Sequence, residues 1–231
     1  MEKLTVLYED NHCIVVVKPQ NIPSQEDASG DEDMLSMVKE YIKEKYNKPG
    51  EAYVGLVHRL DRPTGGIMVF AKTSKAASRL CQEIKENKMQ KTYYAVLTKI
   101  PQLKENTLVH YLKKDEKNNI VRVAPQSEQG VKKAELHYKV LQTNGELALV
   151  EVKLITGRSH QIRVQMSAIN CPLYGDRKYG ADKNMTSNLG LWAGRLEFVH
   201  PTTKQNMIFA CPPDSEKEPW NKFYMDKYFL R

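Results

Sequence analysis

Asn144-Gly145 lies between KAELHYKVLQT and ELALVEVKLIT, and no other stretch restricts the folding of this chain as tightly. Asn-Gly flanked by alternating apolar residues is the strongest short-range signal for a β-hairpin. Ala134, Leu136, Tyr138 and Val140 alternate on the first arm, and Ala148, Val150, Val152 and Leu154 on the second. Successive side chains of a strand point to opposite faces. One face of this hairpin is therefore core, and the other is left to solvent or to a ligand.

Further strands follow from the same pattern. CIVVVKP, Cys13 to Pro19, is an apolar β-branched run closed by proline. IMVFAKT, TYYAVLTKI (Thr92 to Ile100), LWAGRLEFVHP and MIFACPP read as strands too. Three segments carry helical spacing. MLSMVKEYIKEKYN, Met34 to Asn47, is amphipathic with Asp33 as N-cap, and SKAASRLCQEIKENKM follows with Ser74 as N-cap. HQIRVQMSAIN is the third, capped by Ser159, with Ile162, Met166 and Ile169 turned inward. The acidic segment Gln20–Asp33 reads as a mobile surface loop, and the polar stretch Pro101–Lys133 takes no assignment. CPLYGDRKYGAD reads as a turn-rich loop, and the aromatics of EPWNKFYMDKYFLR are expected to pack back on the body. Many strands in hairpin order with few helices define an α+β fold on a mixed, mainly antiparallel sheet. No repeat or linker stands out, so residues 1–231 read as one domain.

The composition excludes some classes. The chain has 231 residues, 41% hydrophobic and 27% charged, which is ordinary globular composition. No apolar run approaches the roughly 20 residues of a membrane span, and the acidic start is not a secretory signal. Four scattered cysteines without a CxxC pair argue against a zinc site or a disulfide framework, and for reduced thiols in a cytoplasmic protein. A net charge of +7 mildly favours a polyanionic partner.

Chemistry concentrates in two places. In VHRLDRPTGGIMVFAKT, Asp61 stands between Arg59 and Arg62, with His58 one step out. A loop aspartate is ordinarily a turn or cap residue. Here flanking positive charge favours the ionised form, and a Pro-Thr-Gly-Gly turn into an apolar strand holds the backbone, as a nucleophile or base requires. In TGRSHQIR, a strand gives way to a helix whose first N–H groups favour anions. Arg158 precedes the cap, and His160 and Arg163 are three apart, which places them on one helical face. The plain alternative is a capped helix with a solvated basic face. Tyr93 and Tyr94 of KTYYAVL point to opposite faces, and both read first as packing residues.

Taken in order, VLYEDNHCIVVVKP, VHRLDRPTGGIMVFAKT, KTYYAVL, LITGRSHQIRVQM, and CPLYGDRKYG with LWAGRLEFVHP resemble the motif set of RNA pseudouridine synthases, specifically the large ribosomal/tRNA family with an HRLD catalytic loop. The likeness runs from Leu4 to Pro213. It implies that Asp61 is the essential aspartate and that Arg59 enters the RNA stack where the target uridine leaves. It implies that Tyr93 stacks on the flipped base and that Arg158 pairs with the carboxylate. Ile162 and Leu154 fall in the pocket's neighbourhood. Independently of the resemblance, the charge and placement of Arg62, His160 and Arg163 make them candidate RNA-binding residues. The reaction needs no cofactor and no metal. Many members carry a small N-terminal RNA-binding domain, which a chain opening directly on the first strand pair is expected to lack.

The expected activity is isomerisation of particular uridines in tRNA or ribosomal RNA, by a monomer. The alternative is a non-catalytic RNA-binding or ribosome-assembly protein on the same fold. A hydrolase using Asp61 as base finds no second carboxylate or metal-ligand set to support it.

Overall fold

In the computed structural model, residues 4–47, 49–180 and 187–229 are described. The last two residues of CPLYGDRKYGAD and of the C-terminal aromatic segment lie outside them. Eleven strands and three α-helices alternate along the described chain, an α+β fold in which antiparallel pairing prevails. The chain divides into two compact units, Met1–Gln90 with Ala193–Cys211, and Lys91–Trp192 with Pro212–Arg231. No helix among the described residues is long and apolar enough to cross a membrane.

The first unit is built on β1 (Thr5–Glu9), β2 (Cys13–Lys18) and β4 (Gly65–Ala71). They pair antiparallel, with Cys13 opposite Ala71 and Lys18 opposite Gly66. The two-residue β3 (Gly55–Leu56) also pairs with β4. Every residue of β4 is buried, which is why IMVF reads as an unbroken apolar run rather than an alternating one. The hairpin of β10 (Leu191–Val199) and β11 (Asn206–Ala210) contributes Leu196 and Phe198 to the core beside Val15, Ile67 and Val69.

Helix α1 (Met34–Lys45) starts as the sequence predicts, with Asp33 Oδ1 accepting from the Leu35 and Ser36 N–H groups at 2.9 and 3.1 Å. Helix α2 (Ser74–Lys85) starts one residue earlier than expected: Thr73 is the N-cap, its hydroxyl accepting from Ala76 N–H at 3.1 Å. A cap residue keeps extended backbone, and Thr73 has φ −140° and ψ 152°, whereas Ser74 is already helical.

In the second unit the strand order is β5 (Gln90–Leu97), β9 (Leu147–Leu154), β8 (Lys132–Asn144), β6 (Glu105–Asp115), β7 (Ile120–Val123), all antiparallel. The predicted hairpin is β8–β9. Asn144 is its last paired residue, opposite Leu147, and Gly145 opens the two-residue turn at φ 57°. The unassigned polar stretch supplies β6 and β7, of which only Leu108, Leu112 and Val121 are buried. The C-terminal aromatics do pack back: Trp220, Phe223 and Met225 form a core with Tyr94, Val96 and Leu149.

Helix α3 (Gln161–Ala168) departs from its prediction. Ser159 does not cap it; His160 occupies the N-cap position, in left-handed backbone at φ 51° and with no side-chain cap bond. All of Gln161–Met166 is buried, so the helix has no solvated polar face.

Candidate active site

Asp61 lies on the loop that runs from β3 into β4, and six backbone groups from Leu60 to Thr64 are held by hydrogen bonds. His58 is buried, and its Nε2 accepts a hydrogen bond from the Val69 N–H of β4 at 3.1 Å. Buried Ser24 grips Leu60 twice, donating to its carbonyl at 2.8 Å and accepting from its N–H at 3.1 Å. The Asp61 carbonyl accepts from Thr64 N–H at 2.9 Å, closing the turn. The Arg62 carbonyl accepts from Asn21 N–H at 2.8 Å and from Lys18 Nζ at 2.9 Å, and the Pro63 carbonyl from Gln20 Nε2 at 3.0 Å. Backbone groups paired in this way leave a loop fewer ways to move. Asp61 itself is half-buried, between buried Leu60 and exposed Arg62.

One glycine completes the mount. Gly66 has φ +124°, and a Cβ there would come within 2.3 Å of the Ala193 carbonyl oxygen of β10. Only glycine fits such a close approach. Residues 18–24 hold the loop from the other side, so the segment expected to be mobile from Gln20 onward begins as a clamp.

The basic flanks of Asp61 have different fates. Arg59 stands exposed between buried His58 and buried Leu60. Arg62 turns to the acidic loop: its Nε donates to the Asn21 carbonyl at 3.1 Å, Nη1 donates to Ser29 Oγ at 2.9 Å, and Nη2 pairs with Asp31. Asp27 lies 3.7 Å from Nη1. The guanidinium expected to face RNA thus binds protein carboxylates here, and it orders the Gln20–Asp33 segment.

In the second unit the TGRSHQIR turn is organised by Gln161, which is 2% exposed. Its Oε1 accepts from Thr156 Oγ1 at 2.8 Å and from Arg158 N–H at 2.9 Å, and its Nε2 donates to the Glu135 carbonyl at 3.0 Å. Arg158 is exposed, with Nε donating to the Lys133 carbonyl at 3.0 Å. Arg163 is buried and bonded doubly to Asp176, at 2.8 and 2.7 Å. Asp176 also accepts from the Lys178 and Tyr179 N–H groups. Burial raises its carboxyl pKa, but the Arg163 guanidinium and the two N–H bonds outweigh that and hold it below the usual carboxylate range. His160 Nδ1 meets Tyr179 Oη at 2.6 Å, and the Arg163 guanidinium lies over the Tyr179 ring. His160 and Arg163 therefore do not share an exposed helical face: one precedes the helix, and the other is enclosed.

Tyr93 and Tyr94, on β5, are both buried. Tyr94 packs among Tyr228, Phe229 and Trp220, while Tyr93 sits opposite Val152 of β9. Among the described residues, one cluster has donor atoms that could suit a metal: Asp10, Cys13 and His200. Hydrogen bonds already fill it. His200 Nε2 is 2.9 Å from Asp10 Oδ2, and its Nδ1 accepts from the Thr202 and Thr203 N–H groups. Burial pushes the Cys13 thiol up to about 12, so the thiolate that a metal binds is disfavoured.

Sequence reading missed Lys18, Ser24, His58 and Gln161 as the residues that build these loops. Lys18 did carry a signal, as a lysine ending an apolar β-branched strand.

A family model described as RNA pseudouridylate synthase matches residues 12–168. The chain is 33% identical over 214 residues to the uncharacterized RNA pseudouridine synthase YhcT of Bacillus subtilis, covering 91% of this chain and 68% of the relative. It is 36% identical over 213 residues to YjbO of the same organism, covering 90% and 72%. Ribosomal large subunit pseudouridine synthase C of Vibrio cholerae is 30% identical over 223 residues, covering 92% and 67%. Among solved structures, human RNA pseudouridylate synthase domain containing 4 superposes with a TM-score of 0.75 at 21% identity, covering 98% of this chain and 90% of that one. The chain belongs to the RNA pseudouridine synthase family, whose enzymes are isomerases.

Proposed function

We propose that this chain isomerises particular uridines of tRNA or ribosomal RNA to pseudouridine, with Asp61 as the reacting carboxylate. The observation that carries the reading is the loop around Asp61, held by Lys18, Gln20, Asn21, Ser24 and His58 through the hydrogen bonds above. Orientation of a catalytic group is a large part of rate acceleration, and a pinned loop delivers it. Relatives named as ribosomal large subunit synthases favour ribosomal RNA.

The reaction breaks the bond between the sugar and a ring nitrogen, turns the base, and rejoins it through carbon. Atoms balance without an oxidant, a reductant or a group donor. A stacked uridine cannot be reached, so it must be flipped out, at a cost of a few kcal/mol. Arg59, exposed beside Asp61, fills the vacated position. The Asp61 carboxylate then attacks the sugar carbon or removes a sugar proton; either route uses the same placement. Tyr93 stacks on the flipped base, and Arg158 acts on the carboxylate, as the resemblance implies. Arg163 and Arg62 drop out of the RNA-facing set, since Asp176 and the acidic loop occupy them. Four free cysteines support a reducing, cytoplasmic setting, and the whole chain works as one catalytic domain and as a monomer.

Pseudouridine mapping of total RNA from a host strain lacking the protein tests this. One site or a few should revert to uridine and be restored by the purified protein. A strain that keeps every pseudouridine favours a non-catalytic RNA-binding role instead.

A further inference from the structure

Strands β2 and β4 carry the Asp61 loop at one end, where Lys18 pairs with Gly66. At the other end Cys13 pairs with Ala71, and Lys72 N–H donates to the His12 carbonyl at 2.8 Å. The five residue steps from Cys13 to Lys18, at about 3.4 Å each, set the two ends roughly 17 Å apart. A pocket of about 450 Å³ lies at the far end, lined by His12, Thr73, Lys75, Ala76, Arg79 and Thr202. Three of these six side chains are basic and none is acidic.

The walls are fixed, but their donors are not used up. Arg79 is anchored by one bond, Nη1 to the Pro201 carbonyl at 2.7 Å; its other N–H groups have no acceptor among the described residues. Lys75 is exposed and makes no hydrogen bond or ion pair among the described residues. His12 sets its ring edge-on to His200, with centroids 5.8 Å apart. Thr202 is tied through its N–H to His200 Nδ1 at 3.2 Å, which leaves its hydroxyl to the pocket. The nearby carboxylate, Asp10, is spent: it accepts from the His12 and Cys13 N–H groups and meets His200 Nε2.

Other basic residues of this unit are answered by acids: Lys45 and Lys72 by Glu9, Lys88 by Glu86, Arg62 by Asp31. Lys75 and Arg79 are not. Like charges gathered in one concavity repel each other and attract a polyanion. Arginine, lysine and hydroxyl donors from separate chain segments are the groups that bind backbone phosphates. Proteins that read double-stranded RNA by shape commonly span about 16 base pairs, so one RNA arm is long enough to lie on both ends of this strand pair.

We propose that this pocket is a second RNA contact, in which Lys75, Arg79, His12 and Thr202 hold a backbone phosphate of the RNA whose uridine is at Asp61. The proposal rests on RNA being the substrate. It assigns the pocket to binding and not to chemistry.

The test has two arms. In the first, ribosomal RNA purified from a strain lacking the protein is the probe, and Lys75→Gln is compared with Lys43→Gln, an exposed lysine of α1 outside the pocket. Both lose one charge, and neither removes a bond that the fold uses. K75Q should reduce the steepness of log affinity against log salt by about 0.7–0.9, the share of one phosphate contact, while K43Q leaves it unchanged. In pseudouridine formation K75Q should raise KM by about threefold or more with kcat within about twofold, the mark of lost binding. A K75Q salt slope and KM equal to wild type overturn the proposal, and so does an equal loss in K43Q. In the second arm, the amide resonances of residues 73–76 are followed by NMR as inorganic phosphate is added. Shifts in wild type that are lost in K75Q/R79Q place a phosphate in the pocket. The same shifts with an RNA salt slope untouched by K75Q would assign the pocket to a small free anion and overturn the RNA contact. A wild type that forms no pseudouridine, with the salt-slope difference present, would refute the isomerase reading and leave the RNA contact standing.

Discussion

Asp176→Asn isolates the charge of the Arg163–Asp176 pair. The two side chains are 7% and 0% exposed, and the pair makes two N–H···O bonds of 2.8 and 2.7 Å. Asparagine keeps an oxygen for the Lys178 and Tyr179 N–H groups, so the chain turn around residue 176 retains its acceptors. What disappears is the negative charge facing a buried guanidinium. Breaking a buried ion pair by removing one partner costs about 3–5 kcal/mol, because the other charge is left uncompensated. With an m-value of about 2–3 kcal/mol per molar urea for a chain of this size, the midpoint should fall by about 1–2 M. Urea unfolding followed by tryptophan fluorescence reads this directly, since Trp220 lies in the core of the same unit. The penalty should also depend on pH. The folded carboxyl titrates below its unfolded value, so the pair's stabilisation is complete above the ordinary aspartate range and is lost as pH falls through the folded value. The difference between wild type and D176N should therefore narrow in acid. Adding Arg163→Met should cost less than the sum of the single changes, because the two groups share one interaction. A D176N midpoint within about 0.3 M of wild type at neutral pH would refute the assignment of this pair as a charge-compensated buried junction.

Other consequences are as specific. Gly66→Ala forces a side chain into φ +124° and against the Ala193 backbone, and should destabilise by about 2–4 kcal/mol in the same unfolding assay. Glu9 accepts from Lys45, Lys72 and Tyr46; burial raises its pKa, but these bonds bring it down to about 2. Glu9→Gln should cost about 2 kcal/mol at neutral pH, discounting half-exposed Lys45, and the difference should fade as pH falls from about 4.5 towards 2. Arg62→Ala removes exposed ion pairs, so global stability should change by less than about 1 kcal/mol, while amide exchange across residues 20–33 accelerates.

The hairpin, the α1 cap, the strand runs and the packing of the C-terminal aromatics were legible because each follows from local periodicity or local capping chemistry. β6 and β7 were not: only two residues of the eleven in β6 are buried, so the alternation that marks a strand is absent. Helix α3 misled for the opposite reason. Gln161, Arg163 and Gln165 look like a solvated face, yet each is buried with hydrogen-bond partners supplied by Glu135, Asp176, Leu108 and other distant residues. Polar residues can be buried when they are paired, and their partners cannot be read from spacing. The candidate site divides in the same way. Asp61 and its glycine turn stood out in the sequence, but the clamp did not, because Lys18, Ser24 and His58 act through contacts 44, 36 and 11 residues apart.

The most direct measurement compares wild type with Asp61→Asn for pseudouridine formed in RNA from a strain lacking the protein. Circular dichroism and the urea midpoint serve to show that the variant is folded. Asparagine nearly matches aspartate in shape but cannot act as a carboxylate nucleophile or base. Wild type should convert its target uridine, and folded D61N should convert none above background. A folded D61N that forms pseudouridine at the wild-type rate would contradict the assignment of Asp61 as the reacting carboxylate.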